Sequence, residues 1–207
     1  MEAGGGYRFP QARILVFAKA PVPGACKTRL IPALGAEGAA ALYRELLEGT
    51  LARLAPARIA PLELWCAPDT GHWAFQDLAA RWDLSLHDQQ GGDLGERMLH
   101  AATDALLRVE AAVLIGSDCP GLGPAQIASA LTALLAQPQQ DAVLGPAEDG
   151  GYVLLGLRQP ARELFTGMPW GGDQVAALTR ARLAGLGWRW WELAPLADVD
   201  RPEDLAC

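Results

Sequence analysis

Ile14-Leu-Val-Phe-Ala18 is five consecutive apolar residues, and it runs directly into Lys19-Ala-Pro-Val-Pro-Gly-Ala-Cys-Lys-Thr-Arg29. The first run is too short for a buried helix and shows no apolar–polar alternation, so it predicts a strand buried on both faces. A strand of that kind belongs to a parallel sheet with helices on either side. The segments that follow repeat the pattern. Ala36–Leu54 carries Leu42, Leu46, Leu47, Leu51 and Leu54 at helical spacing. Leu62–Ala67 reads as a strand, Trp73–Trp82 as a helix, Leu84–His87 as a short strand and Leu94–Arg108 as a helix. Ala111-Ala-Val-Leu-Ile-Gly-Ser117 is a second continuous apolar strand. A helix opens after Gly123 with Pro124 at its first position, where a missing N–H costs nothing, and reaches about Ala136. Ala142–Leu144 and Tyr152–Leu157 flank a Gly-rich turn, Gln174–Leu186 is the last long helix, and Trp188–Leu193 the last strand. Trp188 and Trp190 share one face of that strand and are expected to pack, not to hold a ligand.

Strand–helix alternation from end to end, with no long linker or repeat, predicts one domain over 1–207: a three-layer α/β/α fold with a mainly parallel sheet. In such sheets ligands bind outside the carboxyl ends of the strands. The loops after the strands are therefore where chemistry is expected.

The bulk composition narrows the function classes. Hydrophobic residues make up 51% and charged residues 20%, the balance of a chain with a sizeable core. The formal net charge of −7 argues against general binding to nucleic acid or to an anionic membrane, both polyanions. No apolar run approaches the roughly 20 residues of a membrane span. Met1–Gln11 is Gly-rich without an apolar core, so no signal peptide is expected there. Cys26, Cys66, Cys119 and Cys207 are scattered, which predicts reduced thiols in a cytoplasmic protein and no role for them in chemistry.

Five segments stand out. The loop Lys19–Arg29 holds Lys19, Lys27 and Arg29, with no acidic residue between Glu2 and Glu37. Gly24 allows close backbone approach, and the cations suit phosphate oxygens. A solvated basic loop would look the same. It is not a Walker A loop, because Cys26 stands where glycine must precede the lysine and Val22 where the upstream glycine belongs. Gly91-Gly-Asp-Leu-Gly-Glu-Arg-Met98 puts glycines before a helix N-terminus, which suits a base, ribose or phosphate or else makes a plain loop capped by Asp93. Gly116-Ser-Asp118-Cys-Pro120 ends the second buried strand with a carboxylate, where Mg²⁺ commonly takes one or two carboxylates plus substrate phosphates. Glu148-Asp-Gly-Gly-Tyr152 reads as a hairpin turn, although close approach to a substrate would use the same glycines. In Asp198-Val-Asp-Arg-Pro-Glu-Asp204 the alternating Asp198 and Asp200 share a face, and Pro202 opens a short acidic helix.

Together FAKAPVPGACKTRL, GGDLGERM, GSDCPGL, EDGGYVLLGL and DVDRPEDL, spanning Phe17–Leu205, resemble the DUF2064 family of nucleotide-diphospho-sugar transferase (GT-A) fold proteins. This family is related to glycosyltransferases and to guanylyltransferases. The resemblance implies a metal-dependent transferase acting on a nucleoside triphosphate or nucleotide sugar and an unknown small acceptor, with a slight lean to nucleotidyl transfer. It implies nucleotide contacts from Lys19, Gly24, Lys27, Arg29, Leu94 and Gly95, with Lys27 and Arg29 also stabilising charge on the phosphates. Asp118 and Asp200 are the implied ligands of Mg²⁺ or Mn²⁺, and Asp149 is implied on the acceptor or sugar side. Relatives often read Trp-Ser-Thr where this chain has Trp170-Gly-Gly-Asp173, which removes two hydroxyls from that side. The alternatives are a non-catalytic nucleotide-sensing module on the same fold, or a P-loop-like kinase. On this reading Lys27→Ala should weaken nucleotide binding and leave the fold intact, as for any surface-loop cation.

Overall fold

The computed structural model describes residues 6–206, so Cys207 and the first part of the Met1–Gln11 expectation lie outside the described residues. Seven strands form one sheet: β1 (Ala12–Lys19), β2 (Leu62–Ala67), β3 (Ser85–Asp88), β4 (Ala111–Ile115), β5 (Ala142–Pro146), β6 (Tyr152–Leu157) and β7 (Trp190–Glu192). Five helices connect them: α1 (Ile31–Leu54), α2 (Trp73–Trp82), α3 (Leu94–Leu106), α4 (Pro124–Leu135) and α5 (Val175–Gly185). The strand order is β3-β2-β1-β4-β6-β5-β7. All neighbours run parallel except β6, which is antiparallel to both β4 and β5.

Strand alternation sorts the core. Ile14, Val16 and Ala18 point to one face, where α1, α2 and α4 supply Leu47, Phe75 and Ile127. Leu15 and Phe17 point to the other, against Met98 of α3, Phe165 and Leu183 of α5. Burial of alternate residues on opposite sides is why β1 reads as an unbroken apolar run. Trp188 and Trp190 pack at the edge of the second face, the packing role expected of them.

Many boundaries shift by one or two residues, and two departures have a clear physical reason. Helix α1 begins five residues earlier than the periodicity predicts, but Gly35 breaks it with φ 71 and ψ 168. The regular part therefore starts at Ala36, where the leucine stripe starts. The Trp188–Leu193 strand shortens to three residues because only Trp190–Glu192 pair with β5.

The chain winds β1, β2, β3 outward in one direction, then returns to place β4 on the opposite side of β1. The carboxyl ends of β1 and β4 thus flank a topological switch point, the crevice where open α/β sheets bind ligands.

Candidate active site

Loop 20–30 leaves β1 at this crevice and carries its cations inward. Lys27 takes a left-handed conformation, φ 45 and ψ 45, which costs a non-glycine residue about 1–2 kcal/mol. The turn buries its side chain to 5% exposure and sets Nζ 2.8 Å from Asp118 Oδ2 and 3.4 Å from Asp200 Oδ1. Lys27 is therefore not a surface-loop cation, which corrects the premise from which its removal was expected to leave the fold intact. Arg29 ion-pairs with the other oxygen of Asp200 and donates to the Gly171 carbonyl at 3.2 Å.

Both carboxylates arrive by defined routes. Asp118 follows β4 by three residues, and Gly116 clears space for it: a Cβ there would stand 2.8 Å from Asp118 Oδ1. Asp200 comes from the C-terminal segment, which is fastened beside Asp118. The Val199 N–H donates to the Asp118 carbonyl at 3.0 Å, and Cys119 Sγ donates to the Ala197 carbonyl at 3.2 Å. Asp204 accepts from the N–H groups of Asp200 and Arg201, at 2.9 and 2.7 Å, and holds the turn of Pro202–Ala206.

Charge balance follows from this convergence. Burial works against the Lys27 ammonium, but Asp118 and Asp200 outweigh it and raise its pKa above the ordinary lysine value. Burial would raise the Asp200 carboxyl, yet Lys27 and Arg29 hold it below the usual carboxylate range. Asp198 goes the other way: burial, then the nearby Asp149 and Asp118 charges, push it to about 6 against a weaker pull downward from Lys27.

Two cavities meet at the crevice. The larger, about 480 Å³, is lined by Lys19, Lys27, Arg29, Gln89, Asp118 and Asp200 among others. The smaller, about 210 Å³, is lined chiefly by apolar groups, including Met98, Tyr152, Trp170 and Val175, with Asp149 as its one charged side chain. Phe17, Leu94 and Gly116 line both.

The remaining implied residues fall as follows. Lys19 is exposed at the mouth of the larger cavity, and its backbone N–H donates to Tyr43 at 2.8 Å. Gly24 has φ +82 and open space around it. Leu94 faces both cavities, but Gly95 does not share its outlook: a Cβ there would meet the Phe165 carbonyl at 2.6 Å and Trp170 Nε1 at 2.8 Å. Gly95 serves the packing of α3 on Trp170. Asp149 accepts from the Gly151 N–H at 2.8 Å and is exposed. The hairpin reading of Glu148–Tyr152 holds, since β5 and β6 pair antiparallel across it. The backbone that approaches Gly150 is that of Asp173, which occupies the position a Cβ would take.

Two residues at the crevice carry no sequence signal. Tyr43, buried within the apolar stripe of α1, ties the end of β1 to that of β4 by its bonds to Lys19 and to Ser117 Oγ at 3.0 Å. Gln89 follows a four-residue strand and faces the larger cavity. The buried thiols of Cys26, Cys66 and Cys119 are all pushed up by burial, Cys66 to about 12, so none is a thiolate near neutrality.

The sheet order and the helices on both its faces make this the nucleotide-diphospho-sugar transferase fold. The chain belongs to DUF2064, a family of uncharacterised proteins conserved in bacteria, whose model matches residues 50–172. A protein provisionally described as a nucleotide-diphospho-sugar transferase from Desulfovibrio desulfuricans G20 is 35% identical, over 95% of this chain and 85% of that one, with TM-score 0.84. A cytidylyltransferase from Leptospira borgpetersenii shares the fold at 15% identity, over 95% and 84% of the chains, with TM-score 0.62. So does glucosyl-3-phosphoglycerate synthase from Mycobacterium tuberculosis, solved with Mn²⁺ and uridine diphosphate, at 14% identity over 95% and 75%, TM-score 0.56. No curated protein matches the chain. Among the described residues, no helix is long and apolar enough to cross a membrane.

Proposed function

We propose that the protein transfers a nucleotidyl group from a nucleoside triphosphate to a small acceptor. The observation that carries this reading is the meeting of Lys27, Arg29, Asp118 and Asp200 at the β1–β4 switch point. Lys27 and Arg29 are donors suited to phosphate oxygens, and their carboxylate partners would be released as phosphates take their place.

Asp118 and Asp200 fit a divalent cation, because both already converge on one ammonium group. Among the described residues no cluster of three or more potential ligands is assembled for a metal. Mg²⁺ needs only one or two carboxylates when phosphates complete its shell, so the reading has metal and nucleotide bind together. When bound, Mg²⁺ or Mn²⁺ would neutralise charge on the phosphate oxygens. The acceptor lies in the apolar cavity, and its nucleophilic oxygen attacks the α-phosphorus. The bond to the β-phosphate oxygen breaks, pyrophosphate leaves with the electron pair, and Asp149 takes the acceptor's proton. Lys27 and Arg29 hold the charge that develops on the departing phosphates.

Glycosyl transfer from a nucleotide sugar is the second reading, favoured by the description of the 35% identical relative. One experiment separates them. The full chain is incubated with a nucleoside triphosphate panel and a nucleotide-sugar panel, with and without Mg²⁺. Pyrophosphate released from one triphosphate supports nucleotidyl transfer, and free sugar released from a nucleotide sugar supports glycosyl transfer. With a small-molecule cell extract added as the acceptor pool, nucleotide binding without either product would sink both and leave a sensing module.

A further inference from the structure

The larger cavity has a cationic end and an accepting end. Gln89 follows β3, and its backbone N–H extends the ladder to the Cys66 carbonyl at 2.9 Å. Its side-chain Nε2 donates to the Ala18 carbonyl at 3.1 Å and to the Trp65 carbonyl at 2.8 Å. Both amide hydrogens are thereby used. Turning the amide over would set Oε1 against two carbonyl oxygens, so chemistry fixes its orientation. Oε1 is left without a partner among the described residues, and it is not among the polar atoms sealed from solvent. Gln89 and Ala18 both line the cavity.

Two backbone donors nearby are also spent. The Gly92 N–H donates to Glu96 Oε2 at 2.7 Å, and the Glu96 N–H to Asp93 Oδ1 at 2.8 Å. In the sheet, β3 lies two strands from β1 on the side away from β4, roughly 10 Å across. A nucleotide with phosphates at Lys27 and Arg29 would extend its base toward Gln89.

We infer that Gln89 reads the base and selects a nucleotide whose base carries an exocyclic amine (cytosine, guanine or adenine) over one that presents a carbonyl there. An amine donates to Oε1. The O4 of uracil, or the O6 of hypoxanthine where adenine has its amine, would face like oxygens and leave them desolvated and unpaired. This inference rests on the phosphate placement proposed above.

The test is calorimetric titration of the full chain with ATP, GTP, CTP, UTP and ITP in Mg²⁺. The tightest ligand should carry the amine and exceed its counterpart lacking it, UTP for CTP and ITP for GTP or ATP, by about tenfold. Gln89→Met should bring that ratio toward one. UTP or ITP binding as tightly as the amine-bearing counterpart overturns the inference while leaving the phosphate site standing. A ratio that survives Gln89→Met overturns the assignment to Gln89. Silence from all five nucleotides removes the phosphate placement, and this inference with it. Should Gln89→Met fail to fold, the wild-type ratios alone decide.

Discussion

Lys27 is held by opposing costs: a left-handed backbone and a desolvated ammonium on one side, two carboxylates on the other. Lys27→Ala would leave Asp118 and Asp200 facing each other without a cation. Their side chains are 32% and 28% exposed, so water screens part of the repulsion. The expected loss is about 1–3 kcal/mol, below that for a fully buried pair. Chemical denaturation in EDTA measures it, and Mg²⁺ should restore part of the loss. Unchanged stability would mean that the two carboxylates do not feel this lysine. Asp198 supplies a pH test in metal-free protein. Its carboxyl sits near 6 against an ordinary value of 3.8, so the folded chain holds this proton more tightly than the unfolded chain. Stability from this group is therefore full below about pH 4 and lost as pH rises through about 6. Asp198→Asn should melt higher than wild type at pH 8, by about 2–4 °C, and the gap should close by pH 4. A gap of constant size across this range would remove the carboxylate repulsion from the account.

At the scale of elements, two glycines with similar backbones separate turn strain from packing. Gly24 has φ +82 and nothing within 4 Å of where a Cβ would stand, whereas Gly150 has φ +91 and the Asp173 backbone in that position. Gly24→Ala should cost only the left-handed penalty, about 1–2 kcal/mol. Gly150→Ala must also push the β5–β6 turn off the start of α5, where the Ala176 N–H donates to the Gly150 carbonyl at 2.9 Å. It should cost more than about 3 kcal/mol. Melting temperatures of the two variants decide this, and equal losses would show that the contact with Asp173 yields cheaply.

For the molecule as a whole, Arg29 joins three segments far apart in the chain: its own loop, Gly171 before α5, and Asp200 near the C-terminus. Its side chain is 46% exposed. Arg29→Ala should therefore change stability by less than about 1 kcal/mol. Loss of a charge-assisted phosphate contact should still weaken nucleotide binding about tenfold to a hundredfold. Thermal denaturation and calorimetric titration on the same preparation read both quantities. A large stability loss with unchanged affinity would make Arg29 a clasp and not a ligand.

The sequence by itself determined the elements and their faces. Apolar periodicity, Pro124 at a helix start and the Asp-Gly turn are local signals, and side-chain direction within one strand or helix depends only on local geometry. That Asp118 ends a buried strand follows from the same reading, and so does the family resemblance carried by five short segments in order. Only the tertiary structure decided that Lys27 is buried, that it lies between Asp118 and Asp200, and that Phe165 and Trp170 press on α3 where Gly95 stands. Asp118 and Asp200 stand 91 and 173 residues from Lys27. Their meeting depends on the order in which strands add to the sheet, with β4 returning beside β1 and β6 inserted antiparallel. Local periodicity says which face of a strand is apolar, but not which strand will lie next to it. The electrostatics of the crevice follow from that neighbour choice.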